Sequence, residues 1–244
     1  MILSDIHGNR EALDAVLEEA SKDGYDSVLC LGDIVGYGAD PNGVSDWVRE
    51  HASAVVRGNH DKAAVGLDSL EWFNPAARAS ALWTRTMLTD ENREWLLRLP
   101  RGPVPVADFQ ILHGSPLDED EYLLNMGEVS QLVGYLERRV SFFGHTHVQG
   151  GFRLMRTAVR QIPPVPRDKT HQEVTLELDS EYLINPGSVG QPRDMDARSG
   201  WALYAPEDRL LILRRTNYNI DSAASKIASA GLPEVLARRL YRGQ

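Results

Sequence analysis

The chain has 244 residues, 42% hydrophobic and 25% charged, enough to bury a sizeable core, and it reads as one domain over residues 1–244 rather than two small ones. A formal net charge of −9 argues against broad binding to DNA, RNA or anionic lipid, which needs excess Lys and Arg; a small phosphorylated substrate stays open, because bound cations reverse local charge. No apolar run approaches the roughly 20 residues that span a bilayer and the N-terminus lacks the pattern of a signal peptide, so the expectation is a soluble, cytoplasmic protein with no membrane partner.

Along the chain, Ile2-Leu3 opens a strand. Only three residues precede the first polar motif, against about five or six in an ordinary strand, which means either a stunted strand or a start further upstream. Leu13, Val16, Leu17 and Ala20 recur at helical spacing within residues 11–22, and Gly24 stops that helix. Residues 27–31 form the next strand, in which the single cysteine, Cys30, is a core thiol with no disulfide partner. A turn-rich segment, 36–41, leads to a helix over 44–50, and residues 54–56 read as a third strand. Residues 62–99 form a helical insertion with four aromatics, Trp72, Phe73, Trp83 and Trp95, which either pack the helices or cover a substrate, packing being the preferred reading.

Two apolar runs, 109–112 and 140–143, flank a helix over 128–138. Residues 174–178, 182–184, 201–204 and 210–213 then read as consecutive antiparallel strands, followed by a helix pair over 221–230 and 233–241, with Pro233 in a first helical turn. The acidic run 118–121 and the Pro-rich segment 163–168 read as solvated loops.

Chemistry concentrates where the apolar runs end, which is where α/β sheets gather functional loops. Ser4-Asp5-Ile6-His7 follows the first run, Gly32-Asp33 the second and Gly58-Asn59-His60-Asp61 the third; His113-Gly114 and Gly144-His145-Thr146-His147 follow the next two. Each piece alone is an ordinary turn or cap. Together they place five of the seven histidines at strand ends, and chance explains that poorly. Carboxylates mixed with imidazoles, at spacings that put alternate residues on one side, point to metal binding rather than to a nucleophilic triad.

This order of Asp-x-His, Gly-Asp, Gly-Asn-His-Asp, His and Gly-His-x-His resembles the calcineurin-like metallophosphoesterases. Residues 185–193 (Asn-Pro-Gly-Ser-Val-Gly-Gln-Pro-Arg) and 112–116 (Leu-His-Gly-Ser-Pro) resemble its small bacterial and archaeal phosphodiesterase-like branch. The resemblance implies a four-layer αββα sandwich, two mixed sheets packed face to face between helices. It also implies two divalent metal ions, Mn foremost, with Fe, Zn or Ni as alternatives. Asp5, His7 and His147 would hold one ion, Asn59, His113 and His145 the other, and Asp33 would bridge them. A hydroxide between the ions would attack phosphorus in line. His60 would protonate the leaving oxygen or stabilise charge on the phosphate. Asp61 would either orient the His60 ring or stabilise its own turn.

Asn9, Ser188 and Arg193 are candidate substrate contacts, although Asn9 suits a helix cap equally and Arg193 a surface salt bridge. The expected partner is a small phosphorylated substrate, a phosphodiester first. A phosphomonoester, phosphoprotein or dinucleoside polyphosphate is the alternative, decided by residues 62–99 and 115–126. A non-catalytic scaffold would have no need of the intact ligand set. Oligomeric state is not legible in the sequence.

Overall fold

The protein is described by a computed structural model covering residues 1–244. Twelve strands, numbered in chain order, form two mixed six-stranded sheets. The first runs β3 (Ala52–Val55), β2 (Val28–Cys30), β1 (Ile2–Leu3), β11 (Ser199–Ala205), β12 (Leu210–Thr216) and β9 (His171–Thr175). The second runs β4 (Val104–Val106), β5 (Phe109–Ile111), β6 (Val140–Phe142), β10 (Glu181–Asn185), β7 (Gly150–Met155) and β8 (Ala158–Ile162). β1, β2 and β3 are mutually parallel, as are β5, β6 and β10. Each triplet therefore delivers its following loops to one sheet edge.

Strand alternation builds the layers. Ile2, Leu29 and Leu31 face the second sheet and meet Phe109, Ile111, Phe142 and Ile184 between the sheets. Their neighbours Leu3, Val28 and Cys30 face outward, where α1 (Arg10–Asp23) and α2 (Pro41–His51) cover them with Leu13, Val16, Val44 and Val48. Behind the second sheet, Phe143, Phe152, Leu154 and Leu183 pack against Leu123, Val129, Leu132 and Leu136. The result is the α/β/β/α layering expected from the resemblance.

The segment 62–99 resolves into α3 (Asn59–Val65), α4 (Pro75–Met87) and α5 (Asp90–Leu97), α3 starting inside the Asn-His-Asp motif itself. At the C-terminus α7 (Ile220–Ser229) and α8 (Glu234–Arg242) pack together, and Pro233 caps α8 from outside rather than occupying its first turn. Three sequence readings need correction. The expected helix over 128–138 is only α6 (Met126–Ser130), followed by turns, and the left-handed Gly134 bars any helix from running on to 138, although Val129, Leu132 and Leu136 keep their helical spacing and stay buried. The strands read as one antiparallel run divide between sheets: β9, β11 and β12 pair in the first, whereas β10 enters the second, parallel to β6. The hairpin β7–β8 was hidden by its opening Gly150-Gly151 and by three arginines. Gly151 is required there, since a Cβ would lie 2.3 Å from the Leu183 carbonyl oxygen on β10.

The largest fully buried side chain is Trp201 on β11, whose indole N–H donates to Thr216 Oγ1 at 2.8 Å. Trp201→Ala is expected to lower unfolding free energy by about 3–5 kcal/mol with an unchanged m-value in urea denaturation.

Candidate metal centre

The loops following β1, β2, β3, β5, β6 and β10 converge between the two sheets. Their backbones are sewn together: Asp5 N–H donates to Gly32 O at 3.0 Å, His7 N–H to Asp33 O at 2.9 Å, and Gly190 N–H to Asp5 O at 3.0 Å. Nine residues other than glycine have positive φ, and six of them are Asp5, His7, Asp33, Tyr37, His145 and His147. Left-handed backbone at such residues is costly and collects where function over-determines it. Here it turns successive side chains inward at the strand ends.

Two groups of ligand atoms result, Asp5, His7, Asp33 and His147 in one and Asp33, His113 and His145 in the other, with the atoms of each within 4.8 Å of one another. Asp33 belongs to both. Its Oδ2 lies 3.5 Å from His7 Nε2 and 3.5 Å from His113 Nε2, while Oδ1 accepts the His60 backbone N–H at 2.8 Å. Asp5 Oδ1 is 3.4 Å from His147 Nε2, and its Oδ2 accepts from Ser4 Oγ at 2.6 Å.

The second layer fixes which nitrogen faces inward. His7 Nδ1 lies against Val35 O at 2.9 Å, His113 Nδ1 against Leu31 O at 2.7 Å and His147 Nδ1 against Gln191 O at 2.6 Å. Carbonyl oxygens only accept, so each Nδ1 carries its hydrogen and presents Nε2 to the centre. His145 does the reverse, donating Nε2–H to Asp120 O at 3.0 Å and leaving Nδ1 free.

Whether cations suit these donors can be decided from the bare geometry. His7 Nε2 and His147 Nε2 sit 3.1 Å apart with both hydrogens on the far nitrogens, so two lone pairs face each other. That contact is repulsive unless a cation lies beside both, and the separation suits adjacent ligands on an ion with bonds of about 2.1 Å. The buried Asn59 Oδ1 and His113 Nε2 both lack a hydrogen-bond partner. These orphaned atoms match the Asn59, His113 and His145 set expected for the second ion.

Protonation follows from burial. It lowers His7 to about 4, His60 and His145 to about 3, and His147 well below the usual value, so these imidazoles are neutral. Burial raises the Asp5 carboxyl to about 7. Burial also opposes charge on His113, but the Asp33 and Asp5 carboxylates override it and lift that imidazole to about 10.

The other sequence candidates divide. His60 reaches the centre, its ring centroid 4.9 Å from His7, 4.3 Å from Tyr37 and 5.0 Å from Phe73, and its buried Nδ1 has no partner. Gly36 makes room for it, since a Cβ there would lie 2.5 Å from that Nδ1. Asp61 does not orient the ring: its carboxylate accepts from the backbone N–H groups of Ile34, Val35 and Gly58, which is the turn-stabilising role. Asn9 caps α1 through Ala12 N–H and donates to Gly190 O, and Ser188 Oγ donates to Asp5 O while accepting from Gln191 N–H. Both brace the metal loops through these bonds.

Arg193 has no carboxylate partner; it donates to Tyr37 Oη at 3.2 Å, and its buried Nε is unsatisfied. The surface salt-bridge reading is thereby excluded.

The acidic run 118–121 is not simply solvated. Glu119 pairs with Arg57 and Lys62, and Asp120 with Lys62 at 2.6 Å, tying to α3 the loop that carries the Asp120 carbonyl. In the Pro-rich segment Val165 is buried, with its N–H donated to Gln149 Oε1. Of the four aromatics, Trp83 and Trp95 pack against helices, whereas Trp72 and Phe73 border a cavity of about 280 Å³ beside Asn59, His60 and His145. Tyr37 and Tyr122 line it too. Neither tyrosine had a motif to reveal it.

The sequence model of the calcineurin-like phosphoesterases matches residues 1–149, the stretch holding every candidate ligand and His60. The chain belongs to that family. It is a hydrolase of phosphoester bonds, and the structure of a metallophosphoesterase from Sphaerobacter thermophilus resembles it over 100% of this chain and 98% of that one, with 34% identity and a TM-score of 0.87. An uncharacterized protein of Methanocaldococcus jannaschii is also 34% identical, over 100% of this chain and 97% of its own length. A hypothetical protein from Pyrococcus horikoshii shares the fold at 20% identity, with a TM-score of 0.75 over 100% and 97%. No helix of this phosphoesterase is long and apolar enough to cross a membrane.

Ligation requires ionised carboxylates and imidazole lone pairs. At pH 6, below the values of about 7 for Asp5 and about 10 for His113, both groups hold a proton in the metal-free protein. Metal loading at that pH is expected to release about two protons per chain, and His113→Asn to reduce the count by about one. Calorimetry in two buffers of different ionisation enthalpy reads this number, and a release of none would contradict the assignment.

Proposed function

We propose that the phosphoesterase hydrolyses a phosphodiester with two divalent cations, manganese being the first to test. The supporting observation is the shared Asp33 carboxylate, with one oxygen 3.5 Å from an imidazole of each ligand group. When bound, such ions supply Lewis-acid charge that lowers the pKa of water and neutralises phosphoryl oxygens.

The protein's own groups supply the rest. Arg193 offers a guanidinium with no carboxylate partner, held by Tyr37 Oη and Gln191 Oε1 through one nitrogen, whose buried Nε lacks an acceptor and is suited to a phosphoryl oxygen. The burial that lowers His60 to about 3 keeps its imidazole neutral, so it acts as an N–H hydrogen-bond donor to charge developing on the ester oxygens rather than as a charged acid. The Asp33 Oδ1 contact to the His60 backbone N–H fixes that ring relative to the ligands.

A diester is favoured over a monoester by charge. Arg193 is a cation without a carboxylate partner, while Lys62 lies against Asp68, Glu119 and Asp120. One guanidinium suits a singly charged diester better than a monoester carrying about −1.5 to −2 near neutrality. The cavity beside His60 also gives room for an ester arm.

With manganese-loaded protein, kcat/KM for bis-p-nitrophenyl phosphate is expected to exceed that for p-nitrophenyl phosphate. Asp33→Ala should abolish both activities. His60→Ala should lower kcat by about 100-fold or more with metal content unchanged, and Arg193→Ala should act mainly on KM. Preference for the monoester in steady-state kinetics would overturn the diester reading.

A further inference from the structure

The cavity beside His60 holds features that the metal chemistry leaves unused. It lies next to Asn59, His60 and His145, and its outer wall is built by two loops that the ligand motifs do not include. From the segment between α3 and α4 comes Trp72, 92% exposed, an unusual position for an indole with no packing role. From the segment between β5 and α6 comes Tyr122, 46% exposed, its ring centroid 3.9 Å from that of His145. Phe73 and Tyr37 continue the aromatic lining toward His60.

Lys62 ties both loops to α3, through Asp68 on one at 3.7 Å and Asp120 on the other at 2.6 Å. The aromatic walls are thus braced against the helix that carries His60. Asp120 Oδ2 takes the lysine, but Asp120 Oδ1 is buried with no donor.

We infer that this cavity receives a planar aromatic ring on one ester arm of the substrate, and specifically the base of a nucleoside, an inference that rests on the phosphodiester reading above. Exposed aromatic faces are the ordinary platform for bases, which stack on them with little sequence preference. Asp120, which lines the cavity, adds a carboxylate acceptor for an amino group of a base, which a simple aryl ester lacks. The net charge of −9 and a volume of about 280 Å³ fit a single nucleoside arm, not a polynucleotide track.

The test is calorimetric titration of the manganese-loaded protein with adenosine 5′-monophosphate, phenyl phosphate and ribose 5-phosphate, which share a phosphate monoester and differ in the ring. Adenosine monophosphate is expected to bind about ten-fold or more tightly than ribose 5-phosphate, in line with stacking on one aromatic side chain. Trp72→Ala, on an exposed position that leaves the core intact, should remove most of that preference while leaving ribose 5-phosphate binding unchanged, and Tyr122→Leu should weaken the preference as well. Equal affinity for adenosine monophosphate and ribose 5-phosphate, or a preference untouched by both substitutions, overturns the inference. Tighter binding of phenyl phosphate than of adenosine monophosphate overturns the nucleoside assignment. A ring preference that persists in a protein unable to turn over bis-p-nitrophenyl phosphate would sink the diester reading and leave the ring site standing.

Discussion

The organisation of this molecule turns on one buried carboxylate, Asp33, serving two imidazole groups at once. Burial alone would drive a proton onto it, but the positively charged His113 beside it holds it well below the usual carboxylate range. A buried anion of this kind is tolerable only with cations around it. In the metal-free protein His113 carries that positive charge, a role that metal ions at these residues would take over. The left-handed backbone at Asp5, His7, Asp33, His145 and His147 is the conformational cost of pointing the ligands inward, and the interlocked loop hydrogen bonds offset it.

The sheets exist in the form that this centre needs. Two parallel triplets, β1–β2–β3 and β5–β6–β10, bring six loops to one edge, so ligands more than a hundred residues apart meet without any one loop being long. Carbonyl oxygens at Leu31, Val35 and Gln191 then select the Nδ1–H form of three histidines, and the Asp120 carbonyl selects the opposite form at His145. The Arg57 and Lys62 ion pairs carry this order outward by anchoring the loop around Asp120 to α3 and to the turn that precedes it. Function at the centre is therefore coupled to a surface segment that composition alone marks as solvated.

Much of this was legible because metal chemistry restricts residue type. Asp, His and Asn after apolar runs have few structural uses in that combination, so the candidate ligands, the approach of His60 to them and the sandwich could be read from Asp5 to His147. The Asn9, Ser188 and Asp61 roles could not, since the same polar side chain can contact a substrate or brace a turn, and only the hydrogen-bond partners distinguish the two. Tyr37 and Tyr122 are brought to the site by tertiary packing and have no local signal. The β7–β8 hairpin escaped notice because a glycine demanded by close strand approach looks like a turn residue. α6 was overextended for a complementary reason: the apolar spacing of Val129, Leu132 and Leu136 continues through turns beyond Ser130 and past the left-handed Gly134.

Two cations flanking one shared carboxylate is the claim on which the remainder stands, and anomalous diffraction from crystals grown with manganese addresses it directly. The account predicts two anomalous peaks per chain, one near Asp5, His7 and His147 and one near Asn59, His113 and His145, with Asp33 between them. A single peak, or two peaks that share no contact with Asp33, would contradict it.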